Sequence, residues 1–185
     1  YEAVAISLLH SYLNADHEKQ IYSLLAERFP NLEISISSDV LPVFREYERS
    51  MATIMNAMVQ PLVGKYIRQL EDGLAEKRIK APLFIMKSNG GVFSPQEAAR
   101  SGAHMALSGP AAGTNGAANL GHLCKIEDII TIDIGGTSAD ISLIRGGKAE
   151  IANSTKINDL PLSLAVTDIH TIGAGGGSIA RISDN

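Results

Sequence analysis

Two aspartates, Asp133 and Asp140, bracket the run Gly135-Gly136-Thr137-Ser138, and β-branched apolar residues flank both of them. The glycines leave backbone N–H groups unshielded by any Cβ, and Thr137 and Ser138 add hydroxyl donors. A phosphate is held by such convergent donors. Carboxylates beside a phosphate would repel it unless a cation lies between, which makes Mg²⁺ the natural third party. A Gly-rich hairpin carrying two solvated aspartates fits the same spacing, and spacing alone does not separate the two readings.

These residues need elements to position them. Residues 129–134 and 141–144 read as two strands joined by a tight connection. Arg145-Gly146-Gly147-Lys148 is a second two-glycine turn, so 149–151 is expected to pair back as a third antiparallel strand. Upstream, 108–121 reads as a helix of small residues. Gly109, Gly113 and Gly116 each cost up to about 1 kcal/mol relative to Ala in an isolated helix, which points to close packing on another backbone or to a cleft wall. A last Gly-rich stretch, 171–178, is not a dinucleotide fingerprint: Ser178 stands where G-x-G-x-x-G needs Gly, and no clear strand precedes it. Its Gly175, Gly176 and Gly177 would still let backbone approach an anion. There is no Walker A sequence.

The first half reads as alternating elements. Residues 3–9 form a buried strand. A helix capped by Asn14 or Asp16 runs to about 29, where Pro30 stops it. His10 and His17 frame that turn and read as hydrogen-bonded structural histidines rather than metal ligands. Residues 33–37 alternate as a half-exposed strand. After Pro42, Met51, Ile54, Met55, Met58 and Val59 make a helical stripe of core-filling residues, and Pro61 kinks the helix or starts another through about 76. Arg45, Glu46, Glu48 and Arg49 read as a solvated first turn, with a substrate or lobe-interface role as the alternative. Residues 83–86 form a short strand ending in the turn Ser88-Asn89-Gly90-Gly91. Ser94-Pro95-Gln96-Glu97 is a capping box opening a short helix to Arg100.

Composition bounds the rest. The 185 residues suffice for one domain or two small lobes, and 45% hydrophobic with 19% charged residues is a globular composition. A net charge of −4 with scattered basic residues argues against a nucleic-acid surface and against a polybasic membrane patch. The single Cys124 excludes an intramolecular disulfide and fits a reducing cytoplasm. No apolar run is long enough to span a bilayer. The chain opens in mid-pattern and stops just after the last Gly-rich loop, so it is expected to be an internal segment of a longer protein.

The motifs also carry a resemblance. DIGGTSAD between two apolar strands resembles the second phosphate-binding hairpin of the actin, sugar-kinase and chaperone ATPase superfamily. SGPAAG at 108–113 precedes it in the order those ATPases use to cross between lobes. With LLHSYLNADHE at 8–18, REYERS at 45–50, SNGG at 88–91 and DIHTIGAGGGSIA at 168–180, the chain resembles the hydantoinase A / 5-oxoprolinase / acetone carboxylase β-subunit family almost end to end. The resemblance implies a partial α/β, ribonuclease-H-like fold of the actin type, with 1–107 ending the first lobe and 108–185 starting the second. It implies ATP and Mg²⁺ or another divalent metal, a cyclic-amide substrate such as a hydantoin or 5-oxoproline, and a second subunit of the hydantoinase B type. Gly135, Gly136, Thr137, Ser138, Gly175, Gly176 and Gly177 would hold the nucleotide. Asp133 and Asp140 would be catalytic, positioning metal or nucleophile, and Asp133, Asp168 and His170 are the metal candidates. A ketone carboxylase subunit, a non-catalytic nucleotide-binding or assembly module and a small-molecule kinase are the competing readings. Asn115 departs from the family, where an apolar residue is common, and so does Ala15, where Pro is. The chain alone is expected to be inactive.

Overall fold

The computed structural model describes residues 1–157, 159–179 and 181. The final residue of the DIHTIGAGGGSIA motif, Ala180, and the end of the 108–185 stretch lie outside them.

Strands β1 (Ala3–Ile6) and β2 (Glu33–Ile36) pair in parallel, Ala3 opposite Glu33 and Ile6 opposite Ile36. A parallel pair needs a crossover, and α1 (Asp16–Arg28) supplies it. Ala15, not Asn14 or Asp16, occupies the N-cap; the Asn14 side chain accepts the Asp16 N–H at 2.8 Å. β2 is not half-exposed as its alternation suggests: Ile34, Ser35 and Ile36 are all buried. Ile21 and Leu25 of α1 pack with Ile6, Ile34 and Ile36. The opposite face is closed by α3 (Glu46–Glu76), whose Asn56 donates to Ser35 Oγ at 2.9 Å and whose Gln60 accepts from it at 2.6 Å. Ser35 is buried because its hydroxyl is satisfied there.

α3 follows the short α2 (Ser37–Val40) and is one helix of 31 residues running through Pro61. Residues on both sides of the proline, Ala57 and Gln60 before it and Gly64 and Ile67 after it, are buried, so packing on both sides carries the helix past the missing hydrogen bond. Its core stripe is Arg49, Ala52, Thr53, Asn56, Ala57, Gln60, Gly64 and Ile67 rather than the methionine stripe. Ile54 is exposed, Met58 is 70% exposed, and Met55 alone of the expected stripe packs against a core cluster.

Arg49 is fully buried, which corrects the solvated-turn reading. Its Nε donates to Ser37 Oγ at 3.2 Å, and its two terminal nitrogens donate to the Val43 and Leu8 carbonyls at 2.8 Å each. Ser37 Oγ donates in turn to Glu18 Oε1 at 2.6 Å. Glu18, also fully buried, accepts the Leu8 and Ser38 N–H groups at 2.8 Å as well. A hydroxyl thus relays between two buried opposite charges. His10 and His17 are exposed, and among the described residues no side-chain hydrogen bond engages them, so the histidine pair does not brace this turn.

Burial pushes the Glu18 carboxyl up, but the Ser37, Leu8 and Ser38 hydrogen bonds outweigh it and hold the group below the ordinary carboxylate value. A lowered folded-state value gives stability that is complete above the unfolded-state value and is lost as pH falls through the folded one. Acid titration of unfolding free energy is therefore expected to fall in that window for the wild type. In Glu18→Gln it should be flatter and start about 1–3 kcal/mol lower at neutral pH. Parallel acid profiles would contradict this.

β3 (Ile85–Met86) and β4 (Val92–Phe93) form a small hairpin around the Ser88–Gly91 turn, followed by α4 (Pro95–Arg100) with its full capping box and by a 3₁₀ turn, Gly102–Met105. The turn is pinned on two sides. Ser88 donates N–H and hydroxyl to the His104 carbonyl at 2.7 Å each. Gly90 sits at φ +80°, and Asn115 donates to its carbonyl at 2.7 Å. A Cβ at Gly90 would overlap the Asn115 side chain, so the backbone twist and the close approach both need glycine there.

Asn115 lies on α5 (Ser108–Cys124), the expected small-residue helix. A Cβ on Gly109, Gly113 or Gly116 would meet open space, so tight backbone packing does not explain these three; Gly121, where a Cβ would overlap Ile129, is the one packed closely. Beyond α5, β5 (Ile129–Ile134) and β6 (Ala139–Arg145) form the expected antiparallel hairpin. β7 (Lys148–Ala149) pairs with β6 only at Ile144 and Arg145. The long third strand is instead β12 (Ile169–Ile172), which runs along the rest of the same edge of β6 and directly precedes the last Gly-rich loop. Between them, β8 (Ile151–Ala152) pairs with β11 (Val166–Thr167), and β9 (Thr155–Ile157) with β10 (Leu160–Leu162). Leu162 and Leu164 are buried in a cluster with Val40, Ala52 and Ala103, which ties this stretch to the first half of the chain. Among the described residues no helix is long and apolar enough to cross a membrane.

Candidate functional site

The β5–β6 register sets Asp133 directly opposite Asp140, and β12 places Thr171 against Asp140 from the other side. Directly opposed residues share a face, so the three side chains project together. Thr171 Oγ1 donates to Asp140 Oδ1 at 2.6 Å. This face looks toward α5 across a cavity of about 270 Å³ that Asp133 and Asp140 line with Pro110, Gly113 and Thr114. The open space at Gly113 is this cavity's wall. Deeper in, Thr114 and Thr131 both hydrogen-bond the Ser142 hydroxyl, the first at 2.7 Å. That chain of hydroxyls fixes α5 to both strands, two residues from each aspartate.

At the tip, the Gly135 N–H donates to the Ser138 carbonyl at 2.8 Å, and the Gly176 N–H donates to the Gly135 carbonyl at 2.9 Å. The last Gly-rich loop therefore lies on the hairpin backbone to backbone. A Cβ at Gly175 would overlap the Gly136 carbonyl oxygen, so only glycine fits. The Gly175 N–H donates to Ser178 Oγ at 3.1 Å. Three of the expected phosphate donors, the N–H groups of Gly135, Gly175 and Gly176, are thus engaged within the protein. The N–H groups of Gly136, Thr137, Ser138 and Gly177 have no partner among the described residues and stand at the tip.

The expected metal trio is not assembled. His170 pairs with Ile141, one register step from the Asp140–Thr171 pair, and so belongs to the opposite face of the sheet from Asp133. Asp168 is exposed, and its backbone N–H bonds the Glu150 carbonyl. Among the described residues no three His, Cys, Asp or Glu side chains converge as a metal cluster. The donor set the structure does assemble is Asp133 with Asp140. Like charges directly opposed destabilise an antiparallel pair, and the ion pairs of the described residues engage neither aspartate. Two carboxylates beside free backbone donors fit a divalent cation that completes its shell with phosphate oxygens and water, as Mg²⁺ does.

A larger cavity, about 800 Å³, lies between α1 and α4, where Lys19, Lys87, Arg100 and His104 face it, but none of the hairpin residues reaches it. Burial holds His104 below the ordinary imidazole value against a hydrogen bond from its ring to the Val40 carbonyl, and the Lys87 charge pushes the same way as burial. Volume alone does not make this cavity the reactive centre, because the opposed carboxylates and open amides are elsewhere.

Residues 49–185 match the hydantoinase/oxoprolinase family model. The chain belongs to that family. This hydantoinase/oxoprolinase chain is 33% identical over 184 residues to caprolactamase subunit alpha of Pseudomonas jessenii, covering 99% of the chain but 26% of the relative. It is 34% identical to a 5-oxoprolinase of Pestalotiopsis fici over 97% of the chain and 14% of that enzyme. It is 31% identical to the acetone carboxylase beta subunit of Xanthobacter autotrophicus over 98% of the chain and 26% of that subunit. The chain therefore spans about a quarter or less of these relatives. Its mixed α/β fold resembles the ATP-dependent caprolactamase of P. jessenii, with TM-score 0.79 and 30% identity, and nucleotide-free acetone carboxylase, with TM-score 0.77 and 31% identity. Each likeness covers 99% of this chain and 26% of the solved one.

Sequence reading missed Thr171, Thr114 and Ser142. Thr171 lies inside a motif already singled out, but only strand register shows that it holds Asp140.

Proposed function

We propose that the intact protein is an ATP-dependent hydrolase of cyclic amides, with a fold of the actin-type ATPase class in which 1–107 ends one lobe and 108–185 begins the next. The observation that carries this is Asp133 opposed to Asp140 at the rim of a cavity, beside a hairpin tip with open N–H groups. The ATP-dependent caprolactamase and the 5-oxoprolinase among the relatives support it. Bound Mg-ATP would supply a phosphoryl group to activate the amide oxygen, or a carboxylate, toward attack. The tip amides of Gly136, Thr137, Ser138 and Gly177 hold phosphate. Asp133 and Asp140 position the divalent cation or the attacking group, and Thr171 orients Asp140. Catalysis of this kind is chiefly positioning and charge neutralisation. A second subunit of the hydantoinase B type completes the enzyme, in keeping with relatives named as subunits. The acetone carboxylase likeness, nearly equal in identity and TM-score, favours ketone carboxylation as the second reading.

The test is phosphate release from Mg-ATP by the intact protein with its partner subunit, in the presence of hydantoin, 5-oxoproline, caprolactam, or a ketone with bicarbonate. A cyclic amide is expected to stimulate release, and Asp133→Ala to lower it by on the order of 10²-fold or more. Stimulation only by a ketone with bicarbonate would select the carboxylase. Release indifferent to every substrate and to Asp133 would leave a nucleotide-binding module.

A further inference from the structure

Glycine inside a helix is destabilising relative to alanine, so its presence calls for a reason. At Gly113 the reason is not packing. The residue lies beyond the first turn of α5, and a Cβ there would meet nothing within 4 Å. The space in front of it is the cavity of about 270 Å³ that Asp133 and Asp140 line from the sheet side. Gly116, the next glycine of the helix, also faces open space but does not line this cavity. A side chain at 113 would therefore project into the gap before the two carboxylates, and one at 116 would not.

The helix is not free to back away from such a side chain. Thr114 donates its hydroxyl proton to the Pro110 carbonyl at 3.0 Å. The hydroxyls of Thr114 and Ser142 lie 2.7 Å apart, so the proton between them comes from Ser142, and the Thr131 hydroxyl donates to Ser142 in turn. Each of the three hydroxyls donates once, along one line from β5 through β6 to α5. Thr114 and Ser142 are buried, which keeps water from competing for these bonds. On another side of the helix Asn115 donates to the Gly90 carbonyl at 2.7 Å. Three consecutive residues divide the task. Gly113 leaves the space, Thr114 ties the helix to the sheet, and Asn115 ties it to the Ser88–Gly91 turn.

We propose, resting on the reading of this cavity as part of a Mg-ATP site, that Gly113 is its size-determining residue. The gap between α5 and the Asp133–Asp140 face is held at the width of a hydrated divalent cation with the phosphate it carries, and the Thr114–Ser142–Thr131 chain is the positioning element that holds it there. The cavity is smaller than the roughly 300–1,000 Å³ of pockets that enclose a drug-sized ligand. It takes the reacting end of the nucleotide and not the whole of it.

The test is titration calorimetry of the intact protein with Mg²⁺ and adenylyl imidodiphosphate, a non-hydrolysable ATP analogue, together with the melting temperature of the unliganded protein. Gly113→Ala and Gly116→Ala are each expected to raise the melting temperature by about 2 °C, since both put a better helix former inside α5. Gly113→Ala should nonetheless weaken binding about tenfold or more, the effect of one carbon in a fitted pocket. Gly116→Ala should bind as the wild type does. Thr114→Val, which keeps the shape and loses the hydroxyl, should weaken binding about tenfold, and Thr114→Ser should stay within about threefold of wild type. A wild type that binds no Mg-nucleotide overturns the reading of the site and the proposal with it. Wild-type binding that Gly113→Ala leaves unchanged overturns the proposal alone. So does a lowered melting temperature in Gly113→Ala, which would mean that another part of the polypeptide packs on Gly113. Equal loss in Thr114→Val and Thr114→Ser overturns the role of the hydroxyl chain.

Discussion

Arg49→Met is expected to cost the intact protein about 3–5 kcal/mol of unfolding free energy in urea denaturation, enough to remove much of an ordinary domain's stability. The side chain has no exposed surface, so solvent cannot replace it. Its loss takes a donor from the Val43 and Leu8 carbonyls and from the Ser37 hydroxyl. It also leaves the Glu18 carboxylate buried with its three hydrogen bonds but with no cation in the network. The guanidinium lies 5.5 Å from the Tyr12 ring centre, which adds a cation–π contact to the loss. Lysine cannot replace it, since one ammonium cannot reach three acceptors placed for a planar fork. The double variant Glu18→Gln/Arg49→Met should recover part of the deficit, because the uncompensated carboxylate is gone. A cost below about 1 kcal/mol for Arg49→Met would mean that the network is dispensable.

Gly175→Ala is expected to lower ATP-dependent phosphate release by about 10²-fold while moving the melting temperature little. The added methyl would occupy the place of the Gly136 carbonyl. To relieve that overlap the loop must lift, which breaks the Gly176–Gly135 hydrogen bond and turns the tip N–H groups away from a common point. A displacement of about 1 Å at a positioning element costs about two orders of magnitude in rate. The loop is exposed, so little buried surface is at stake. Gly173→Ala is the control: a methyl there meets nothing within 4 Å. Near-wild-type activity in Gly175→Ala, or equal loss in both variants, would refute the assigned contact.

What the sequence discloses about this molecule is what is local. The β5–β6 hairpin follows from β-branched arms and a glycine bend, and the capping box at Ser94 follows from four consecutive residues. α3 is legible as a helix, but its inward face is not. Hydrophobic periodicity selects the Met51–Met58 side, while the core takes Thr53, whose hydroxyl bonds the Arg49 carbonyl of its own helix, and Arg49, Asn56 and Gln60, each buried because a partner elsewhere in the chain satisfies its polar atoms. Polar stripes of that kind become readable only once the partners are in place. The pairing of β12 with β6 is equally hidden, since nothing in residues 169–172 names their partner, and with it go the Thr171–Asp140 contact and the seating of the Gly-rich loop on the hairpin. Asp133 and Asp140 were visible as candidates because they flank the bend. Their separation from His170 was not, because it depends on a register that a shift of one residue would reverse.

Leu162 and Leu164 bear on how the molecule comes to exist. They complete a cluster whose other members, Val40, Ala52 and Ala103, leave the ribosome far earlier. Until the β9–β10 hairpin is synthesised, that part of the nascent chain has an apolar surface and no cover for it, and the contacts that close it are of high sequence separation and slow to form. A chain stopped short of residue 162 would therefore lack the cover for this one cluster. The clusters around Ile6 and Ile67 need no residue beyond 105 and can close earlier, so only this third cluster waits for the hairpin.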